Sequence, residues 1–169
     1  MYQVGEKVLY GMQGVCAVTD QEKRVVDRKT VTYLVLEPVG QEGSRYLVPT
    51  HNEAAMAKLR KILTREELSA LLDSPEVRSQ EWILDENRRK QLYRELISSG
   101  DRLRLMQMVH TLYCHRSSQK ASGRKCHLCD ENFLRDAEKL LSGEISLVME
   151  LDAEGARQFL REKLKAETA

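Results

Sequence analysis

Aromatic side chains are scarce in this chain. Of its 169 residues 5% are aromatic, with two Phe and a single Trp, Trp82. That shortage argues against an aromatic-rich β sandwich, and a charged content of 31% favours a large helical share. No run of about 18 apolar residues is present, so no membrane-spanning helix is expected. The opening MYQVGEKVLY has neither the basic nor the apolar region of a secretory signal, so a cytoplasmic chain is expected. In that compartment the four Cys are expected as thiols or metal ligands, not disulfides. Catalytic signatures are missing as well. There is no G-x-S-x-G, no phosphate-cradling glycine loop and no paired carboxylates in a plausible pocket, and neither His51 nor His127 belongs to an acid and nucleophile constellation. The chain reads as a binding protein, not an enzyme, with no cofactor.

What is present is unevenly distributed charge. The formal net charge is +1. Counting Lys and Arg against Asp and Glu gives 6 to 6 over residues 1–50, 5 to 6 over 51–81, 10 to 4 over 82–125 and 6 to 10 over 126–169. The positive excess is confined to the segment that Trp82 opens. A basic block in a near-neutral protein points to a polyanionic partner, or else to a solvated helix face.

The hydrophobic pattern changes period along the chain. KVLY, VCAVTDQ, VTYLVLEPV and RYLVP read as short strands separated by Gly-rich or polar turns, the pattern of an antiparallel meander that curls into a small barrel. Pro49 ends the pairing. Thr64 with Glu67 forms a capping box, Gly100 with Asp101 marks a helix stop followed by a start, and Asp152 caps a last helix. One helix is expected to start near Trp82, HRSSQKASGRK (His115 to Lys125) to be a loop, and SGE (Ser142 to Glu144) to interrupt a helix that begins near Asp130. The expected class is α+β, with a β-rich domain over 1–52, a connector over 53–63 and a helical domain over 64–169.

VGEKVLYGMQGVCAV, followed by YLVLEP and YLVP, resembles the first domain of CarD-type transcription regulators, a domain also found in transcription-repair coupling factors. The Trp82 segment with its SGD signal, and ENFLRDAEKLLSGEISLVMEL, resemble the helical part of the same family. The resemblance runs in order from about Val4 to Leu151. It implies a Tudor-like β domain that docks on the RNA polymerase β subunit, and a helical domain that touches promoter duplex DNA at the upstream edge of the melted bubble without reading sequence. It further implies a Trp that wedges into the minor groove there and modulates open-complex stability. Trp82 matches that wedge, one helical turn farther from SGD than in many members. Arg24 matches a docking residue. Leu47 falls where some members carry Arg, and Arg45, two residues away, is placed to substitute for it. Gly11 and Gln13 stand where the family has Pro and His, and Glu131 stands near a position that is often basic.

An apolar wedge flanked by phosphate-neutralising cations is consistent physics for such an edge. Arg88, Arg89 and Lys90 form the first basic group, and Arg116, Lys120, Arg124 and Lys125 the second. The bland reading of Trp82 is a packing anchor, and Glu86 is available to pair with Lys90 at i,i+4. A rival reading starts from CHLC. Cys126 and Cys129 make half a zinc site, which Cys114 with His115 or His110 would complete. The other readings carried are a protein-only adaptor and a zinc- or thiol-responsive regulator. The expected partners are RNA polymerase and DNA, with no membrane, for a monomeric chain.

Overall fold

The computed structural model describes residues 2–165. The chain divides into two compact units, the first ending at Ile62 and the second beginning at Leu63.

The first unit is an antiparallel sheet of β1 (Lys7–Tyr10), β2 (Val15–Val26), β3 (Lys29–Pro38), β4 (Tyr46–Pro49) and β5 (Leu59–Lys61), with a one-turn helix, α1 (Glu53–Met56), before β5. The strand order is β4-β3-β2-β1-β5. Alternation builds the core: Val8 faces Cys16, Val18 faces Leu36 and Leu34 faces Val48 across the ladders, and with Leu59 these residues form one buried cluster. A register shift between Val18 and Asp20 marks a one-residue bulge in β2, where the strand bends. Asp27 and Arg28 both have positive φ, 49° and 66°, as the two central residues of a primed hairpin turn require. The expected barrel does not close. β4 and β5 end the sheet without pairing to each other, and both edge strands are short, four and three residues, which limits edge exposure without closure. Residues expected as a connector supply β5, which pairs with β1.

The second unit is helical: α2 (Arg65–Asp73), α3 (Glu86–Ser99), α4 (Arg102–Ala121), α5 (Leu128–Met149) and α6 (Ala153–Leu164). The expected stops and starts are where local chemistry puts them. The Thr64 side chain accepts from the Glu67 N–H at 3.1 Å, Gly100 takes φ 69° at the end of α3, and Asp101 caps α4. Tyr93, Leu105, Met106, Val109, Leu134 and Ile145 lie in its core. Three expectations are corrected. α3 begins at Glu86, not near Trp82, because Asp85 is its N-cap and accepts from Asn87 and Arg88. His115 to Ala121 is helical, since the polar end of α4 continues a helix nucleated by its buried apolar turns. α5 passes through Ser142–Glu144 unbroken, because Leu141, Glu144 and Ile145 are all buried on its inner face and outweigh the helix cost of one Gly, about 1 kcal/mol.

Candidate functional site

The segment before α3 carries Trp82 without regular secondary structure. Trp82 is half-buried. Its ring stacks on His115 of α4, with centroids 3.6 Å apart and planes 7° apart, and the Arg89 guanidinium carbon lies 4.4 Å from its centroid. His115 Nε2 is buried without a hydrogen-bond partner, and burial holds the imidazole below its ordinary value of 6.5. A neutral imidazole suits a stack that already faces the Arg89 cation.

Arg89 itself is only 3% exposed. Its Nε and Nη2 donate to the two carboxylate oxygens of Asp130, both at 2.9 Å, and its Nη1 donates to the Ile83 carbonyl at 2.9 Å. A buried carboxylate such as Asp130, 1% exposed, has to be paired, and a forked guanidinium meets it on both oxygens. Arg89 therefore ties the Trp82 segment to α5 and is not free to contact phosphate. This corrects its expected place in the basic group. The partner lies 41 positions away, a separation that helical periodicity around Trp82 does not report.

The other expected cations separate by environment. Arg88 is exposed and has no side-chain partner among the described residues. Lys90 pairs with Glu86 at 3.0 Å, as the i,i+4 spacing suggested, and that bond holds the Glu86 carboxyl below its ordinary value. Arg116 lies on α4, its guanidinium carbon 5.4 Å from the Tyr113 ring centroid. Lys120 is exposed in the last turn of α4, and Arg124 and Lys125 are exposed in the loop beyond it. Sequence reasoning passed over Leu84, which is 88% exposed immediately before the Asp85 cap. The signal was available in the run WIL, where three consecutive apolar residues at a helix entry cannot all face the core.

The residues of the zinc reading are held by separate contacts. Cys114 Sγ approaches His110 Nε2 at 3.5 Å, and His110 Nδ1 contacts the Leu164 carbonyl. His115 is stacked on Trp82, Cys129 Sγ lies 3.8 Å from a Glu86 oxygen, and burial together with the nearby Glu131 raises the Cys126 thiol pKa. Among the described residues no three His, Cys, Asp or Glu side chains are grouped to hold a metal.

In the sheet unit, Arg24 of β2 and Arg45, just before β4, share one carboxylate. Glu22 accepts from Arg24 at 2.9 Å and from Arg45 at 3.0 Å, and the Arg24 and Arg45 bonds hold its carboxyl below the ordinary value. Tyr46 and Val48 face the buried cluster, so alternation places Arg45 and Leu47 on the other face. β4 has β3 as its one strand neighbour, which leaves an open edge beside this basic group.

The comparisons with known proteins agree across both units. The family model described as CarD-like/TRCF RID domain matches residues 2–63, and the one described as CarD, C-terminal domain matches residues 66–161. No match was found among curated proteins.

Proposed function

The chain belongs to the CarD family, and from that premise we propose that this RNA-polymerase-interacting transcription regulator holds the polymerase β subunit with its sheet unit and upstream promoter DNA with its helical unit. The open β4 edge offers main-chain pairing to a strand of the partner, and Arg24, Arg45 and Leu47 beside it supply side-chain choice. The DNA-facing edge is the Trp82–Leu84 segment. Trp82 acts as the wedge at a distorted base step, Leu84 extends the apolar edge, and the exposed Arg88, Lys120, Arg124 and Lys125 meet phosphates. The observation that carries this reading is the seat of Trp82: a buried Arg89–Asp130 pair fixes the segment while Leu84 stays almost fully exposed. The fixed Trp82 and the exposed Leu84 beside it make a small apolar edge that a distorted base step would cover.

The test is the lifetime of a promoter open complex with wild type, Trp82→Ala and Leu84→Ala, with polymerase binding measured in parallel. The expected outcome is a longer lifetime with wild type, shortened about tenfold by Trp82→Ala, as loss of about 1–2 kcal/mol of aromatic contact to bases implies. Polymerase binding is expected to be unchanged.

The stack of Trp82 on His115 favours a second reading, in which Trp82 only packs and the helical unit binds protein. That reading predicts that Trp82→Ala lowers the unfolding midpoint, that Leu84→Ala changes nothing, and that no protection of upstream DNA is seen.

A further inference from the structure

Helices α4, α5 and α6 enclose a groove of about 510 Å³. Its lining holds five cations, Arg116, Arg135, Lys139, Arg157 and Arg161, against two carboxylates, Glu131 and Glu138. Both carboxylates are engaged. Glu138 is 6% exposed and accepts from the Tyr113 hydroxyl at 2.7 Å and from Arg161 at 3.3 Å. Glu131 lies near the Cys126 thiol, whose pKa is pushed up by burial first and then by the Glu131 charge.

The cations are far less satisfied. The Arg135 side chain bonds only the neutral Asn132 amide oxygen, at 2.6 Å, and the Lys139 side chain has no partner among the described residues. Arg116 faces the Tyr113 ring. Arg157 reaches Glu154 at 3.7 Å in an exposed contact, of the kind that contributes little. Positive charge converging on a concave wall focuses the field and attracts compact anions. The sequence count hid this group, since residues 126–169 carry 6 basic against 10 acidic residues. Folding sorts them, placing Asp136, Glu150, Asp152 and Glu162 away from the groove lining.

We propose that the groove binds a chain of adjacent phosphate groups, as carried by a nucleoside polyphosphate. Guanidinium forks match phosphate oxygens in pairs, and the volume falls within the ordinary range for small-molecule sites, roughly 300–1,000 Å³. Leu128, 76% exposed at the rim, offers an apolar surface for a base. Trp82, Leu84 and Arg88 are not among the residues that line the groove, and the proposal does not rest on the DNA reading.

The experiment titrates the full-length protein calorimetrically at low salt with inorganic tripolyphosphate, with adenosine triphosphate and with a short DNA duplex. The proteins are wild type, the double variant Arg135→Ala/Lys139→Ala and Arg88→Ala. Both substituted groove residues are exposed, so the fold is retained, which circular dichroism checks. Wild type is expected to bind both phosphate chains, the double variant about tenfold or more weaker after losing two charge-assisted contacts, and Arg88→Ala to bind the phosphate chains as wild type does while losing affinity for the duplex. No binding of either phosphate chain, or equal binding by the double variant, overturns the proposal. Loss of duplex affinity alone in the double variant also overturns it and assigns the groove to the DNA backbone.

Discussion

Tyr93 and Tyr113 are both buried tyrosines in one core, and their hydroxyls meet opposite fates. The Tyr113 hydroxyl donates to Glu138 at 2.7 Å. The Tyr93 hydroxyl is buried without a hydrogen-bond partner, and burial pushes its pKa up to about 12. An unmade buried hydrogen bond costs about 1–3 kcal/mol, so removing the orphaned group is favourable and removing the satisfied one is not. Tyr93→Phe is expected to leave stability unchanged or raise it by about 1 kcal/mol, and Tyr113→Phe to lower it by about 1–3 kcal/mol. Urea unfolding at neutral pH measures both, and a marked loss in Tyr93→Phe would contradict the stated environment. Arg89 shows the limit of reading at this scale. Its neighbours Arg88 and Lys90 announce a basic surface, yet a single carboxylate at Asp130 draws it into the core. Charge identity is legible in a sequence. Which cation is buried depends on a partner brought in by tertiary structure.

Element boundaries were readable at most places where a local bond sets them, although the Asp85 cap that starts α3 was missed. Thr64, the Gly100–Asp101 pair and Asp152 cap their helices through side-chain oxygens or a left-handed turn within a few residues. Boundaries set by packing were not readable. α4 runs past its apolar stretch into RSSQK, and α5 runs through Gly143 because neighbouring turns are anchored from outside. Gly143 is exposed, lies in a helix interior and is not among the residues with positive φ. Gly143→Ala is therefore expected to stabilise the protein by about 0.5–1 kcal/mol. Thermal unfolding reads the gain, and a loss would mean that the site carries a close contact of its own.

On the scale of the whole molecule, the α+β order of the units was legible because the hydrophobic period changes from two to the helical value near residue 60. The openness of the sheet was not, because closure depends on strand lengths and tilt more than on alternation. Four cations of the expected DNA edge, Arg88, Lys120, Arg124 and Lys125, are exposed. If each neutralises one phosphate, the logarithm of DNA affinity falls against the logarithm of salt with a slope of about −3.6, and Arg88→Ala makes it shallower by about 0.9. Fluorescence anisotropy with duplexes of unrelated sequence checks both values, and a flat salt response would remove the phosphate contacts from the account.

α5 holds a buried carboxylate toward each end, Asp130 near its start and Glu144 near its end, with buried Glu138 between them. Asp130 grips Arg89 of α3. Glu144 grips Arg102 of α4, at 2.6 and 2.8 Å, and the Leu63 N–H at 3.2 Å. Fourteen residues of helix separate them, about 21 Å at 1.5 Å per residue. A beam bolted at one point can pivot, whereas a beam bolted at two points this far apart cannot. Thrust against the Trp82 segment therefore passes into the whole helical unit instead of being lost in a hinge, and loosening either bolt would turn a rigid strut into a swinging arm.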